Sequence, residues 1–245
     1  MRKTRRTIFK LVCLAILWGN VSCSQAQNTE PLYTKVIPGD AVLKGSRLKP
    51  HRVTYKRSGK QMIYDMKLDN KWDKEVYELL VYFGGPDVVP DRMYLNLKDG
   101  SFAGRKLQMD AQGYTIDLKF ENNHMTGSLQ PHEGSKYEYR EYDKMHPHGA
   151  FEPAVVNYTI SLLPLEEGYK ASIPTMDLNN GSQIIWANIS VEKRETLNIG
   201  GKTYDTWKVI SEGIRKKTIW VSTTEPYFIK MKTKGNPGTW ELSGN

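Results

Sequence analysis

From Lys49 onward the apolar residues of this chain fall at every second position. Val53 and Tyr55 alternate with polar neighbours ahead of a Ser58-Gly59-Lys60 turn, and Met62, Tyr64, Met66 and Leu68 alternate after it. A period of two sets one face of an extended segment against a core and leaves the other in water, so these stretches predict half-buried strands. Met93, Leu95 and Leu97 lead into Asp99-Gly100, a hairpin pair. Tyr114, Ile116, Leu118 and Phe120 follow Gln112-Gly113, and Glu121-Asn122-Asn123 turns the chain into Met125 to Leu129. Glu75 to Phe83, "EVYELLVYF", is more continuously apolar and fits either a buried strand or a short helix; its Tyr and Val content favours a strand.

The pattern breaks at Pro131 to Pro153, a polar, tyrosine-rich stretch that reads as a crossover between two β-halves. Val155 to Leu163 resumes as a short helix or strand. The expected strands then follow closely: Ala171 to Pro174, Ile184 to Lys193, Glu195 to Ile199, Lys202 to Glu212, Arg215 to Ser222, Tyr227 to Lys234 and Thr239 to Leu242. Gly200-Gly201 and Asn236-Pro237-Gly238 supply turns. The expected fold is all-β and mostly antiparallel, a strongly curved sheet or open β-barrel in two halves, 49–130 and 154–245, joined by the crossover 131–153. Residues 27–48 form an extended N-terminal segment.

The first residues change how the charge is read. Met1 to Lys10 carries five cations and no acid, Leu11 to Trp18 is apolar, and small residues Ser22, Ser24 and Ala26 follow. This is the layout of a secretory signal peptide over 1–26, too short for a membrane span. Cleavage after Ser24-Gln25-Ala26 would start the mature chain at Gln27. Val21-Ser22-Cys23 alternatively resembles a lipobox, with Cys23 lipidated, although Asn20 stands where an aliphatic residue is usual. Removing the leader takes the net charge from +8 to +3, because 30 cations then face 27 acids. No basic stripe fit for phosphates survives, which excludes nucleic acid as an expected partner. Both cysteines, Cys13 and Cys23, lie in the leader, so disulfides and cysteine catalysis are excluded as well. The expected location is the periplasm or the outer membrane, with no transmembrane helix after the leader.

Three stretches carry a resemblance: the Leu-Pro-Leu-x-x-Gly corner at 163–168, the Gly-x-x-x-Asp-Thr-Trp strand at Gly201 to Trp207, and "TIWVS" followed by "PYFIKM". They resemble the bacterial domain-of-unknown-function family 3108, secreted proteins and lipoproteins found chiefly in Gram-negative organisms. The resemblance covers Phe151 to Leu242 well and the first half by pattern alone. It implies a curved antiparallel sheet similar to lipoprotein-carrier folds, and it brings no catalytic residues.

Candidate chemistry is sparse. His132, Glu133, His146 and His148 could gather a metal ion, but Pro147 interrupts the pair and a solvated loop accounts for them. Glu166-Glu167 and Glu192/Glu195 are carboxylate pairs of the kind that serves sugar hydrolysis, but adjacent residues on a turn point apart. No nucleophile elbow, zinc helix, phosphate loop or dinucleotide fingerprint occurs, so no catalytic residue, metal or cofactor is expected. The aromatic surplus is the informative feature. Trp186, Trp207, Trp220, Tyr227 and Ile229 recur on the C-terminal strands and are the expected lining of an apolar trough. The expected function is non-catalytic binding of a lipid, a lipid-linked ligand or another apolar ligand in that concavity. The alternative is an envelope scaffold with a filled core that meets another envelope protein, and a hydrolase of envelope glycans comes third.

Overall fold

The computed structural model describes residues 32–109, 113–178 and 181–243. The expected signal peptide, its expected cleavage sites and Cys23 lie outside the described residues. The alternating segments form strands β1 (Thr34–Lys35), β2 (His51–Arg57), β3 (Lys60–Lys71), β4 (Lys74–Phe83), β5 (Asp91–Asn96), β6 (Phe102–Met109), β7 (Tyr114–Glu121), β8 (His124–Pro131) and β9 (Arg140–Met145). A buried helix, α1 (Val156–Leu162), precedes β10 (Lys170–Asp177), β11 (Gln183–Ile199), β12 (Lys202–Glu212), β13 (Lys217–Ser222), β14 (Phe228–Thr233) and β15 (Trp240–Leu242).

Among the described residues all fifteen strands belong to one sheet, in the order β1-β10-β11-β12-β13-β14-β15-β2-β3-β4-β5-β6-β7-β8-β9. Each half is a meander, and the last strand pairs with the first long one, Leu242 opposite Tyr55. Every pairing is antiparallel except the short contact of β1 with β10. The sheet is not closed by a ladder, but its far strands meet. Met176 and Leu178 of the β10 end pack with Phe102, Leu118 and Tyr142 from the other meander. Arg140 on β9 reaches the Leu178 carbonyl at 3.4 Å, and Lys144 reaches that of Gly181 at 3.1 Å. Ala150 and Phe151 bridge the two sides, accepting from the Phe102 amide and pairing with Thr175. The strongly curved all-β sheet expected from the sequence is what forms.

Two expectations change. The stretch 131–153 is not wholly a crossover: it contains β9, whose residues 140–145 pair with β8. Ile184 to Lys193 and Glu195 to Ile199 are one strand, β11, bent by a bulge between Val191 and Lys193. The run Glu75 to Phe83 is strand, and the ambiguous run 155–163 is helix.

Helix α1 is seven residues long, every one buried. A helix so short does not hold itself together, and tertiary packing supplies its stability. Tyr158 sits edge-on to Tyr64 at 5.4 Å, and Tyr64 contacts Tyr55 and Phe228, tying the helix to β2, β3 and β14. The turn before it, Pro153–Val155, is capped by Glu152, whose Oε1 accepts from the Ala154 amide at 3.1 Å. The helix therefore lies in the core that Tyr55, Met66, Ile173 and Ile219 line, and it occupies part of the concave side.

Candidate functional site

What α1 leaves open is a cavity of about 400 Å³ between the two meanders. Met62 and Tyr64 on β3, Leu107 on β6 and Ile116 on β7 line it from the N-terminal meander, and Met176 on β10 and Met231 on β14 from the C-terminal one. Its mouth is marked by lining residues that stay in solvent: Phe83 is 56% exposed and Ile214 38%. The size falls in the ordinary range for a small-molecule site, about 300–1,000 Å³.

The apolar walls enclose a charged cluster. Arg105 is placed on the concave face because it stands opposite Met93 and Leu118 in the ladders. Its Nε donates to Asp91 Oδ1 at 3.0 Å, and its Nη1 lies 3.4 Å from Glu152 Oε1. Asp91 and Glu152 are both buried. Burial pushes the Glu152 carboxyl above the usual range, and Arg105 works against that shift. The second oxygen, Glu152 Oε2, is buried with no hydrogen-bond partner among the described residues.

Lys217, at the start of β13, shares the concave row with Ile219 and stands opposite Ser211 and Thr233. Its ammonium donates to the Pro153 carbonyl at 2.9 Å, its one hydrogen bond among the described residues. Burial draws its pKa down to about 8, with Glu152 opposing and Arg215 adding to the shift. Sequence reasoning missed this cluster, since Arg105, Glu152 and Lys217 are individually ordinary charges far apart in the chain.

A second cavity of about 360 Å³ opens on the other side of α1, which contributes Tyr158 and Ser161 to its wall. Tyr55, Phe228 and Tyr227 line it, with Arg47, Lys49 and Lys202 around them. His51 Nδ1 donates to the Lys49 carbonyl at 2.6 Å, which leaves Nε2 to accept from the Tyr158 hydroxyl at 2.7 Å.

The five residues expected to line one trough are not brought together. Trp207, Tyr227 and Ile229 pack on the concave side, Trp207 and Tyr227 being partly buried and Ile229 fully so. Tyr227 lies under the Arg47 guanidinium, 5.3 Å from its ring centre, and faces the second cavity. Trp220 pairs with Lys208 and Lys230 on the convex face, where its indole donates to Glu195 and carries the Lys230 ammonium at 5.2 Å. Trp186 alternates with the core residue Ala187 and therefore points outward, between Lys35 and His148. Met231, which alternation places on one face with Tyr227 and Ile229, and Trp240 do line the first cavity.

The histidines go to separate partners: His132 to the Thr115 hydroxyl at 2.9 Å, His148 to the Gly149 carbonyl, and buried His146 against Phe120. Among the described residues no three metal-ligating side chains gather. Glu166 and Glu167 are exposed, and Glu192 and Glu195 pair with Lys208 and Lys193 on the surface.

Among the described residues no helix is long and apolar enough to cross a membrane. Neither the curated proteins nor the solved structures contain a match to this chain. A family described as proteins of unknown function matches residues 51–243, from the first residue of β2 to just past β15, so the limits of the match are those of the curved sheet without β1. With most of its length matched, the chain belongs to that family, DUF3108.

Proposed function

We propose that the protein is an exported, non-catalytic binding module that holds a lipid or another apolar chain inside its curved sheet, in the periplasm or at the outer membrane. The observation that carries the reading is the cavity of about 400 Å³ between the meanders, whose walls are Met62, Leu107, Ile116, Met176 and Met231. Each methylene moved from water into such walls contributes roughly 0.8 kcal/mol, and association costs take back a part of the sum. Export rests on the basic, apolar and small-residue layout of the first 26 residues.

Native mass spectrometry of protein purified from membrane-containing cells tests the reading. A co-purifying lipid is expected, and it should be absent from Ile116→Phe and Ala154→Phe, which fill the cavity, while both variants keep the β-sheet circular dichroism. Protein that carries no ligand, and whose tryptophan emission no added lipid alters, would sink it. One observation favours the scaffold reading instead. Helix α1 already fills part of the concave side, and a cavity closed to every ligand would make the sheet a frame for its loops.

A further inference from the structure

We infer that the cavity ligand carries an uncharged, hydroxyl-bearing head group, such as a glycerol or sugar ester of an acyl chain, held between Glu152 and Lys217; the inference rests on the binding reading above.

Three facts combine. Glu152 Oε2 is a buried acceptor without a donor, and it belongs to a residue that lines the cavity. Leaving such an atom unmet is costly, so it is a place where a donor should arrive. Lys217 lines the same cavity and bonds to the carbonyl of Pro153, the residue that follows Glu152, and its ammonium has further donor positions. A hydroxyl gives a hydrogen bond and takes one, so adjacent hydroxyls complement a neighbouring acceptor and donor together.

Charge selects further. Arg105, Lys217 and the exposed Arg215 line the cavity with Glu152 and Asp177, and Asp91 stands behind them as the ion-pair partner of Arg105, so three cations are matched by three acids. Arg105 is already committed to Asp91 and Glu152. A carboxylate or phosphate head has no donor for Glu152 Oε2 and meets the acids. An ammonium head has no acceptor for Lys217 and meets the cations. A neutral polyol satisfies both positions and leaves the balance intact.

The test titrates the unmodified full chain with monolauroylglycerol, methyl laurate, laurate and laurylamine, each below its micelle concentration. The emission of Trp240, which lines the cavity, reports binding, with calorimetry beside it. Monolauroylglycerol should bind about tenfold more tightly than methyl laurate and than either charged ligand. In Lys217→Met, checked for fold by circular dichroism, the ratio of the glycerol ester to the methyl ester should collapse towards one. Tightest binding of laurate or laurylamine, or equal binding of the two esters, overturns the head-group assignment and leaves the apolar cavity standing. Failure of all four to bind overturns both.

Discussion

Trp207 stands opposite Val221 across the β12–β13 ladder, one residue past Trp220, so the two indoles face opposite sides of the sheet. Trp207 belongs to the concave core, while Trp220 lies on the convex surface beneath Lys208 and Lys230. Trp220→Phe should therefore leave ligand affinity unchanged. It should cost about 1 kcal/mol in urea unfolding, because the hydrogen bond to Glu195 is lost. A large loss of binding in a folded Trp220→Phe protein would place the ligand on the wrong face.

Arg105 is the cation between two buried carboxylates, Asp91 and Glu152. Arg105→Met should destabilise the fold by about 3–5 kcal/mol, since both acids stay behind without their partner. Adding Asp91→Asn and Glu152→Gln to it should recover much of that loss. Equal midpoints for the single and triple variants in chemical unfolding would contradict the assignment.

Lys217 makes stability depend on pH in a defined window. Its folded pKa, about 8, lies below the ordinary 10.5, so between those values the unfolded chain binds more protons. Stability contributed by this residue therefore rises with pH from about 8 towards 10.5, and the penalty is fully present below 8. The groups that set its charge are Glu152, Arg215 and, through Glu152, Arg105. Buried Tyr55, Tyr64 and Tyr158 act in the opposite sense above pH 10, because burial holds their pKa values up while the unfolded phenols ionise. The difference between wild type and Lys217→Met isolates the lysine. The variant should be the more stable by roughly 1–3 kcal/mol at pH 7, and the gap should shrink by pH 10. A gap that does not change with pH would refute the account.

Phe83 and Ile214 line the cavity while remaining exposed, which marks them as its entrance. Phe83→Ser with Ile214→Ser should slow uptake of a fluorescent fatty ester from vesicles severalfold while shifting the thermal midpoint little, since exposed side chains contribute little to folding. Uptake at the wild-type rate would mean that ligands enter elsewhere.

The strands were legible because most of them bury one face and wet the other. Met62, Tyr64 and Met66 are buried in the structure and alternate in the sequence accordingly. Strand β9 was not, because only Tyr142 of its six residues is buried and the rest are exposed, mostly charged side chains of an edge. The faces of the C-terminal strands were half legible. Bulges between Val191 and Lys193 and between Trp220 and Val221 reset the parity that alternation counts on. Helix α1 gave no 3.6-residue signal, because all seven positions are buried and a short apolar run has no face to show. The charged cluster joins residues on β5, β6 and β13 to the turn before α1, and such a meeting has no trace in any local window.

The strand β15 is three residues long, and among the described residues it carries the ladder that pairs the C-terminal meander with the N-terminal one. On each side it offers two register pairs, Lys230 with Glu241 and Met231 with Trp240, then Glu241 with Lys56 and Leu242 with Tyr55. The Ser243 amide to Thr54 carbonyl bond and Arg57 over the Trp240 ring add to the fastening. Met231 lies on the neighbouring strand on one side, Met62 and Tyr64 lie on β3 beyond β2 on the other, and all three line the cavity. This narrow ladder is therefore a seam in the cavity wall held by few backbone pairs. Amide exchange at Glu241 and Leu242 should therefore report how often this seam opens.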